Sequence, residues 1–421
     1  MKVRYIYSAC VVVETSDIKI CCDPWFTPGA FDGSWYQYPP VREPISVIGE
    51  VDYLYISHIH PDHYDAKFLK KYTEVYPSVK IIVGETSPPY LFQKMKADGF
   101  KPEVVNSMIV GSTEVTILQN RSYEVDNIDT ALVVVQNDLS VVNMNDNPFD
   151  PQQVSEVLAK CPHGRPNVAL IPHSGAGPYP QTYFFESDEL RLRAEDKKKR
   201  QFLELYSQYL NALKPLKAIP FAGQYFLGGP LSALNDRRGV CDAVEVAERF
   251  PDLSVVLADG GDAFIDVQTL ESSAVRTSVY DPDEIRTHFN KMSFGGYDYE
   301  CELRPYVEHT LPIFPLLKSA YSRAIASTSV REDFWFAIKL VNQANKYYIF
   351  NTAKDSGVSV TSDLASFSPR CEIEIDERYL FGLLTRLYHW NNASIGSHYT
   401  SKRFPDVFVR EAYSFLNRFH V

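Results

Sequence analysis

The chain has 421 residues, 45% of them hydrophobic and 23% charged, which suffices for two or three domains with cores of their own and excludes a disordered chain. Its net charge of -11 argues against a nucleic-acid backbone as the principal partner, because counterion release needs clustered Lys and Arg, although a local basic pocket for one phosphate is compatible with it. No apolar run is long enough for a bilayer, no signal peptide is visible at Met1 to Ile6, and seven scattered Cys suit reduced thiols, so a cytoplasmic protein without a membrane partner is expected.

From the start, Lys2 to Ala9, Cys10 to Val13 and Ile18 to Cys22 are short apolar runs separated by turn signals, and they predict antiparallel strands. Cys21 and Cys22 alternate along the third strand and are expected as one core and one surface filler. Asp23 closes that strand and opens a Gly-, Pro- and aromatic-rich loop through Pro40, a length and composition usual for functional loops. A further strand, Val51 to Ile56, leads into Ser57-His58-Ile59-His60-Pro61-Asp62-His63. With ten His in the whole chain, three imidazoles and a carboxylate within six positions are improbable by accident. Neutral imidazole and carboxylate are the ligands that zinc, iron or manganese accept, and a tight loop after a strand aims them from one rigid support.

Ala66 to Tyr72 has helical spacing, and Lys80 to Val83, Val115 to Leu118, Ala131 to Val135 and Leu139 to Val142 predict strands. The last leads into Asn143-Met144-Asn145-Asp146-Asn147, and Val168 to Ile171 runs into Pro172-His173-Ser174. Asp146 and His173 thus share the placement of the first cluster, just past a strand end. Asp23, also at a strand end, could orient a ligating His by accepting its other N–H. Residues 186 to 213 form a helix with Phe202, Tyr206, Tyr209, Leu210 and Leu213 as its apolar stripe and Lys197-Lys198-Lys199-Arg200 as a solvated face. Gln224 and Tyr225, after the run Ala218 to Phe221, suit a substrate wall, with Arg237 and Arg238 nearby for an anion.

A composition change between Tyr280 and Tyr306 marks a domain junction, placing one domain at 1–300 and a small α+β unit at 301–421. In that unit Trp335 to Leu340, Tyr347 to Phe350 and Cys371 to Ile375 predict strands, and Tyr379 to Leu387 and Val407 to Phe419 predict helices. His389, Asn391 and His398 are expected to pack and cap.

The His58–His63 pattern resembles the metal-binding loop of the metallo-β-lactamase superfamily, which implies an α/β fold, the αββα sandwich. The resemblance places His58 and His60 on one metal, Asp62 and His63 on a second, Asp146 as the bridge and His173 completing the second ion. Asp62 and Asp146 are the carboxylates expected to act in catalysis. The superfamily's further His on the first metal has no counterpart, since no His lies between His63 and His163. That position falls to a carboxylate, a water or nothing; Glu124 is the candidate carboxylate, with Asp126 and Asp129 in the same segment as alternatives, and a carboxylate there would move the site from zinc toward iron or manganese.

Several segments are similar to the CMP-N-acetylneuraminate hydroxylase family: Cys22-Asp23-Pro24-Trp25, Tyr55-Ile56-Ser57-His58, Asp129-Thr130, Pro220 to Gly223 with Tyr225, and Gly296 to Tyr299. The last hundred or so residues look only loosely like sterol-carrier-type accessory domains. That family receives electrons through a Rieske centre, which needs C-x-H and C-x-x-H pairs. Cys161-Pro162-His163 copies the first pair, and no Cys here has a His three residues later.

Two activities fit. The first is hydrolysis of a phosphorylated or nucleotide-linked sugar, a phosphodiester or a lactone by a metal-activated hydroxide. The second is a diiron oxygenase acting on a nucleotide sugar or related metabolite, with an external ferredoxin or reductase. Both imply two divalent metal ions and an anionic small-molecule substrate, and the acidic surface and C-terminal unit are compatible with a homo-oligomer.

Overall fold

The computed structural model describes residues 1–121, 128–303, 310–330, 332–353 and 355–421. Two mixed sheets face each other. In the first, the order is Phe264–Asp266, Lys2–Tyr7, Cys10–Glu14, Lys19–Cys22, Tyr53–Ile56, Lys80–Val83 and Glu103–Val104. The second runs Lys217–Phe221, Val168–Pro172, Leu139–Asn143, Thr130–Gln136, Thr113–Gln119 and Ser107–Val110.

The two-residue period of a strand explains how these sheets are covered. Val11, Val13, Ile20, Tyr55, Leu132, Val134, Val141 and Leu170 point between the sheets and form one buried cluster. Their alternates face outward. Val12, Cys21, Leu54 and Ile56 pack under Phe68, Leu69 and Tyr72 of the helix Ala66–Val75, and Ala131, Val133, Val142 and Ala169 pack under Tyr206, Tyr209 and Leu210 of the helix Asp188–Leu213. Helix, sheet, sheet, helix is the αββα sandwich expected from the resemblance. Each fully buried Val or Leu in these layers contributes about 1.5–3 kcal/mol of hydrophobic stabilisation. Because both faces are covered, Cys21 and Cys22 are both fully buried, and the expected surface position for one of them does not exist.

The later part of the chain builds a separate five-stranded sheet, Ser359–Thr361, Tyr347–Asn351, Trp335–Leu340, Arg370–Ile375 and Tyr399–Phe404. One face carries the core Phe336, Phe350, Leu317, Tyr321, Leu383 and Phe415, into which Tyr297 and Tyr299 also pack. Its helices are shorter than their apolar spacing predicts. Arg386 has a φ of 64°, a left-handed conformation that stops Glu377–Leu384 before Leu387, and Val409 is the extended cap of Arg410–Leu416.

This C-terminal unit docks on the loops at one rim of the sandwich. Trp35 Nε1 donates to Ile395 O at 3.3 Å, His398 Nε2 to Phe31 O at 2.8 Å, and the Tyr379 hydroxyl to Asp32 at 2.6 Å. Ser401 N donates to Thr182 O at 3.0 Å and Phe184 N to Ser401 O at 2.8 Å. Among the described residues, no helix is long and apolar enough to cross a membrane.

Candidate metal centre

Strand direction collects the candidate residues. Lys19–Cys22 and Tyr53–Ile56 are parallel neighbours with Cys22 opposite Tyr55, so Asp23 and Ser57 emerge side by side. In the second sheet Leu139–Asn143, Val168–Pro172 and Lys217–Phe221 are also parallel, so Asp146, His173 and Gly223 leave from a single rim. Thr130–Gln136 runs antiparallel to Leu139–Asn143, with Leu132 opposite Asn143, and therefore starts at that rim and brings Asp129 with it. Loops at the carboxyl ends of parallel strands are the usual place for such sites. The two rims are tied together by Tyr55 and Thr130, whose hydroxyls are 2.8 Å apart, and by the Thr130 hydroxyl donating to Ser57 O at 2.8 Å.

Within this frame Asp23 is fully buried and accepts from Ser57 N at 2.7 Å, the Ser57 hydroxyl at 2.6 Å and His63 Nδ1 at 2.8 Å. That third bond turns His63 Nε2 toward Asp146 at 3.4 Å and Asp62 at 3.7 Å. His58 Nε2 and His60 Nδ1 approach to 2.8 Å, while His58 Nδ1 lies 3.0 Å from the Ser57 hydroxyl and 3.5 Å from Asp129. His58, His63 and Asp146 each present one ligand atom within 4.8 Å of the others. His173 Nδ1 donates to Phe221 O at 3.1 Å, which fixes its ring, and a Cβ on Gly223 would lie 2.9 Å from its Nε2. Only glycine leaves that imidazole edge free.

His63 Nε2, Asp129 Oδ1 and Asp146 Oδ1 are buried without any hydrogen-bond partner. Folded interiors satisfy nearly all such atoms, and a cluster of unsatisfied imidazole nitrogen and carboxylate oxygen fits divalent cations. The charge balance points the same way. Burial pushes Asp129 up to about 7, with Asp146 adding to the rise, and burial pushes Asp62 up to about 7 against the pull of His63. Burial lowers His60 and His173 to about 4 and His58 well below its ordinary range. It opposes a charged His63 too, yet the Asp146, Asp62 and Asp23 carboxylates together hold that imidazole well above its usual value. Neutral imidazoles beside crowded carboxylates are what a bound cation both requires and relieves.

The sequence expectations fare unevenly. His58, His60, Asp62, His63 and Asp146 share the rim with His173, and Asp23 orients His63. Glu124 and Asp126 lie outside the described residues, whereas Asp129 from the same segment stands beside His58. Tyr225 is buried flat against Trp35, 3.4 Å between ring centroids, and its hydroxyl has no partner. Gln224 turns to Tyr38 O at 3.0 Å and Asp259 at 3.5 Å, beside His173 in a cavity of about 310 Å³. Arg238 is buried against the Tyr225 ring, and Arg237 is exposed.

Two expectations are corrected. Asn391 does not merely pack: its Oδ1 accepts from His60 Nε2 at 2.9 Å, so the C-terminal unit reaches the candidate metal ligands. Neighbouring His389 does cap, accepting from Asn391 N at 3.2 Å. Lys198 is not solvated like the rest of its basic run; it is 7% exposed and donates to Tyr179 O at 2.9 Å. Tyr179 of loop 176–183 lies against it, which helical spacing alone does not register.

Residues 2–183 match the family described as beta-lactamase superfamily domain, and the four-layered architecture is that of the metallo-β-lactamase fold. A Mycobacterium tuberculosis protein named for a Rieske 2Fe-2S iron-sulfur centre is 31% identical over 273 residues, 61% of this chain and 49% of its own. The cytidine monophosphate-N-acetylneuraminic acid hydroxylase of Danio rerio is 26% identical over 243 residues, 52% of this chain and 38% of its own. The chain therefore spans about half or less of the length of these relatives. An isothiocyanate hydrolase from Delia radicum gut bacteria is 12% identical, covering 63% of this chain and 99% of that one, with a TM-score of 0.43.

Proposed function

We propose that residues 1–300 form a dinuclear metal hydrolase domain acting on a phosphorylated or nucleotide-linked sugar, or on a phosphodiester or lactone, and that residues 301–421 are an accessory unit that shapes its site. The observation that carries the reading is the set of buried, partnerless ligand atoms on His63, Asp129 and Asp146 at the rim that also holds His58, His60, Asp62 and His173. His58, His60 and Asp129 would hold one ion, Asp62, His63 and His173 the other, with Asp146 between them. Two divalent ions so held supply Lewis acidity and lower the pKa of a shared water toward neutrality.

The chain's own groups do the positioning. Asp23 fixes the tautomer of His63 by accepting its Nδ1–H, Asn391 does the same for His60 Nε2–H, and Phe221 O for His173 Nδ1–H. Asp62 and Asp146 would orient the attacking water and accept its proton.

A second reading, a diiron oxygenase supplied by an external ferredoxin or reductase, is favoured by one feature, the Asp129 carboxylate where the superfamily resemblance leads one to expect a His. The likeness to a named hydroxylase is consistent with it. Anaerobic purification followed by metal analysis separates the two. About two zinc per chain with hydrolysis of a phosphodiester or lactone supports the first reading; about two iron with oxygen consumed in the presence of reductant rejects it.

A further inference from the structure

We propose that the cleft between the helix Asp188–Leu213 and the C-terminal unit binds the phosphate of an organic phosphate, with Lys198 as the cation that receives it. The cleft has a volume of about 900 Å³, with Tyr179, Lys198 and Phe202 on one wall and Asn391, Arg403 and Tyr413 on the other. Asn391 also accepts from His60, so the cleft wall is tied to a candidate metal ligand. That position gives the inference its bearing on the hydrolase reading, although the binding itself stands apart from it.

Charge carries the argument. Along the same helix Arg191, Arg193, Lys199 and Arg200 each have a carboxylate within 3.6 Å, and Lys197 is exposed. Lys198 is the most enclosed of the run, and among the described residues no carboxylate pairs with it; its single acceptor is the Tyr179 carbonyl. The charge that acts on it most is of like sign, the Arg238 guanidinium, itself buried and held by carbonyl oxygens of Asn235 and Tyr225. Burial, reinforced by Arg238, lowers the Lys198 ammonium to about 7. An enclosed ammonium with donors to spare at a cleft is matched by a compact dianion, for which Lys serves as a point charge.

The organic part of the ligand has its own surface. Arg403 lies 4.3–5.4 Å from the ring centroids of Tyr179, Tyr183, Phe408 and Tyr413 and donates to the Tyr183 and Tyr413 hydroxyls at 3.1 and 3.0 Å. Its carboxylate neighbour, Asp406, is 3.8 Å away. A ring or sugar attached to the phosphate would lie along this aromatic wall.

The test titrates the full chain as purified with phenyl phosphate by calorimetry, with phenol as the uncharged control. Lys198→Met is expected to weaken phenyl phosphate at least tenfold, and Arg200→Ala and the metal-cage variant Asp146→Ala to change it less than threefold. Equal binding by Lys198→Met and the parent overturns the inference. Loss of binding in Asp146→Ala with retention in Lys198→Met overturns it too, because the phosphate then sits on the metals. A second measurement needs no variant: phenyl phosphate should slow acetylation of Lys198 at least fivefold, read by peptide mass, and leave exposed Lys101 unchanged. Equal rates with and without the ligand would also overturn it.

Discussion

The candidate metal centre and the cleft beside it are built from opposite deficits. At the cage, carboxylates and imidazoles crowd together until buried acceptor atoms have no donor left. In the cleft, Lys198 is enclosed without a carboxylate, and its strongest charged neighbour is another cation. The first place gathers acceptor atoms without donors and the second holds a cation without a carboxylate partner among the described residues, and Asn391 touches both. Such unpaired groups cost stability in an empty protein, so their concentration in two adjoining places marks where ligands belong.

The comparison breaks most sharply at the cage. Asp146→Ala and His58→Ala are each expected to abolish stoichiometric metal and to lower any hydrolytic rate by about a thousandfold or more, measured by elemental analysis and turnover on the same preparation. Full metal in both variants would remove the cage from the molecule's chemistry. A smaller effect is expected one step out. Asp23→Asn leaves His63 Nδ1 without its carboxylate and should weaken metal binding about 10–100-fold, read by competition with a chelator. Unchanged affinity would show that the Ser57 loop alone orients the ring.

Asn391→Ala tests whether the C-terminal unit takes part in the cage or only lies near it. A loss of metal affinity of up to about tenfold, with an unchanged melting temperature, is expected; no change in affinity would reduce the His60 contact to packing. The smallest effect is thermodynamic. Lys198 titrates near 7 in the folded chain and near the ordinary lysine value when unfolded. Between those values the unfolded chain binds more protons, so this group makes stability rise with pH, from about 7 to about 10.5. Lys198→Met should remove that slope and, without ligand, melt about 2 °C higher at pH 7. A lower melting temperature at pH 7 would mean that the ammonium is already paired.

Much of the sandwich was legible because it rests on local periodicity. Val11 and Val13 against Val12, and Leu132 and Val134 against Ala131 and Val133, declare two covered faces by alternation alone. His58, His60, Asp62 and His63 were legible because four candidate ligands, three His and an Asp, fall within six positions after a strand. Asp146 and His173 were legible by a weaker sign, their place just beyond a strand end. Asp129 was one of three acids in a segment, and nothing local marks it as a neighbour of His58.

The amino-acid order alone therefore determined the layered fold, the loop that carries the candidate ligands and the resemblance to the superfamily, since each depends on residues close in the chain. Tertiary structure decided that Asp129 stands beside His58, that Asn391 from some 330 positions away accepts from His60, and that one lysine of a basic run is enclosed. The reason is physical: periodicity reports which face of an element is covered, whereas the partner of a polar atom is set by what the rest of the chain brings against it.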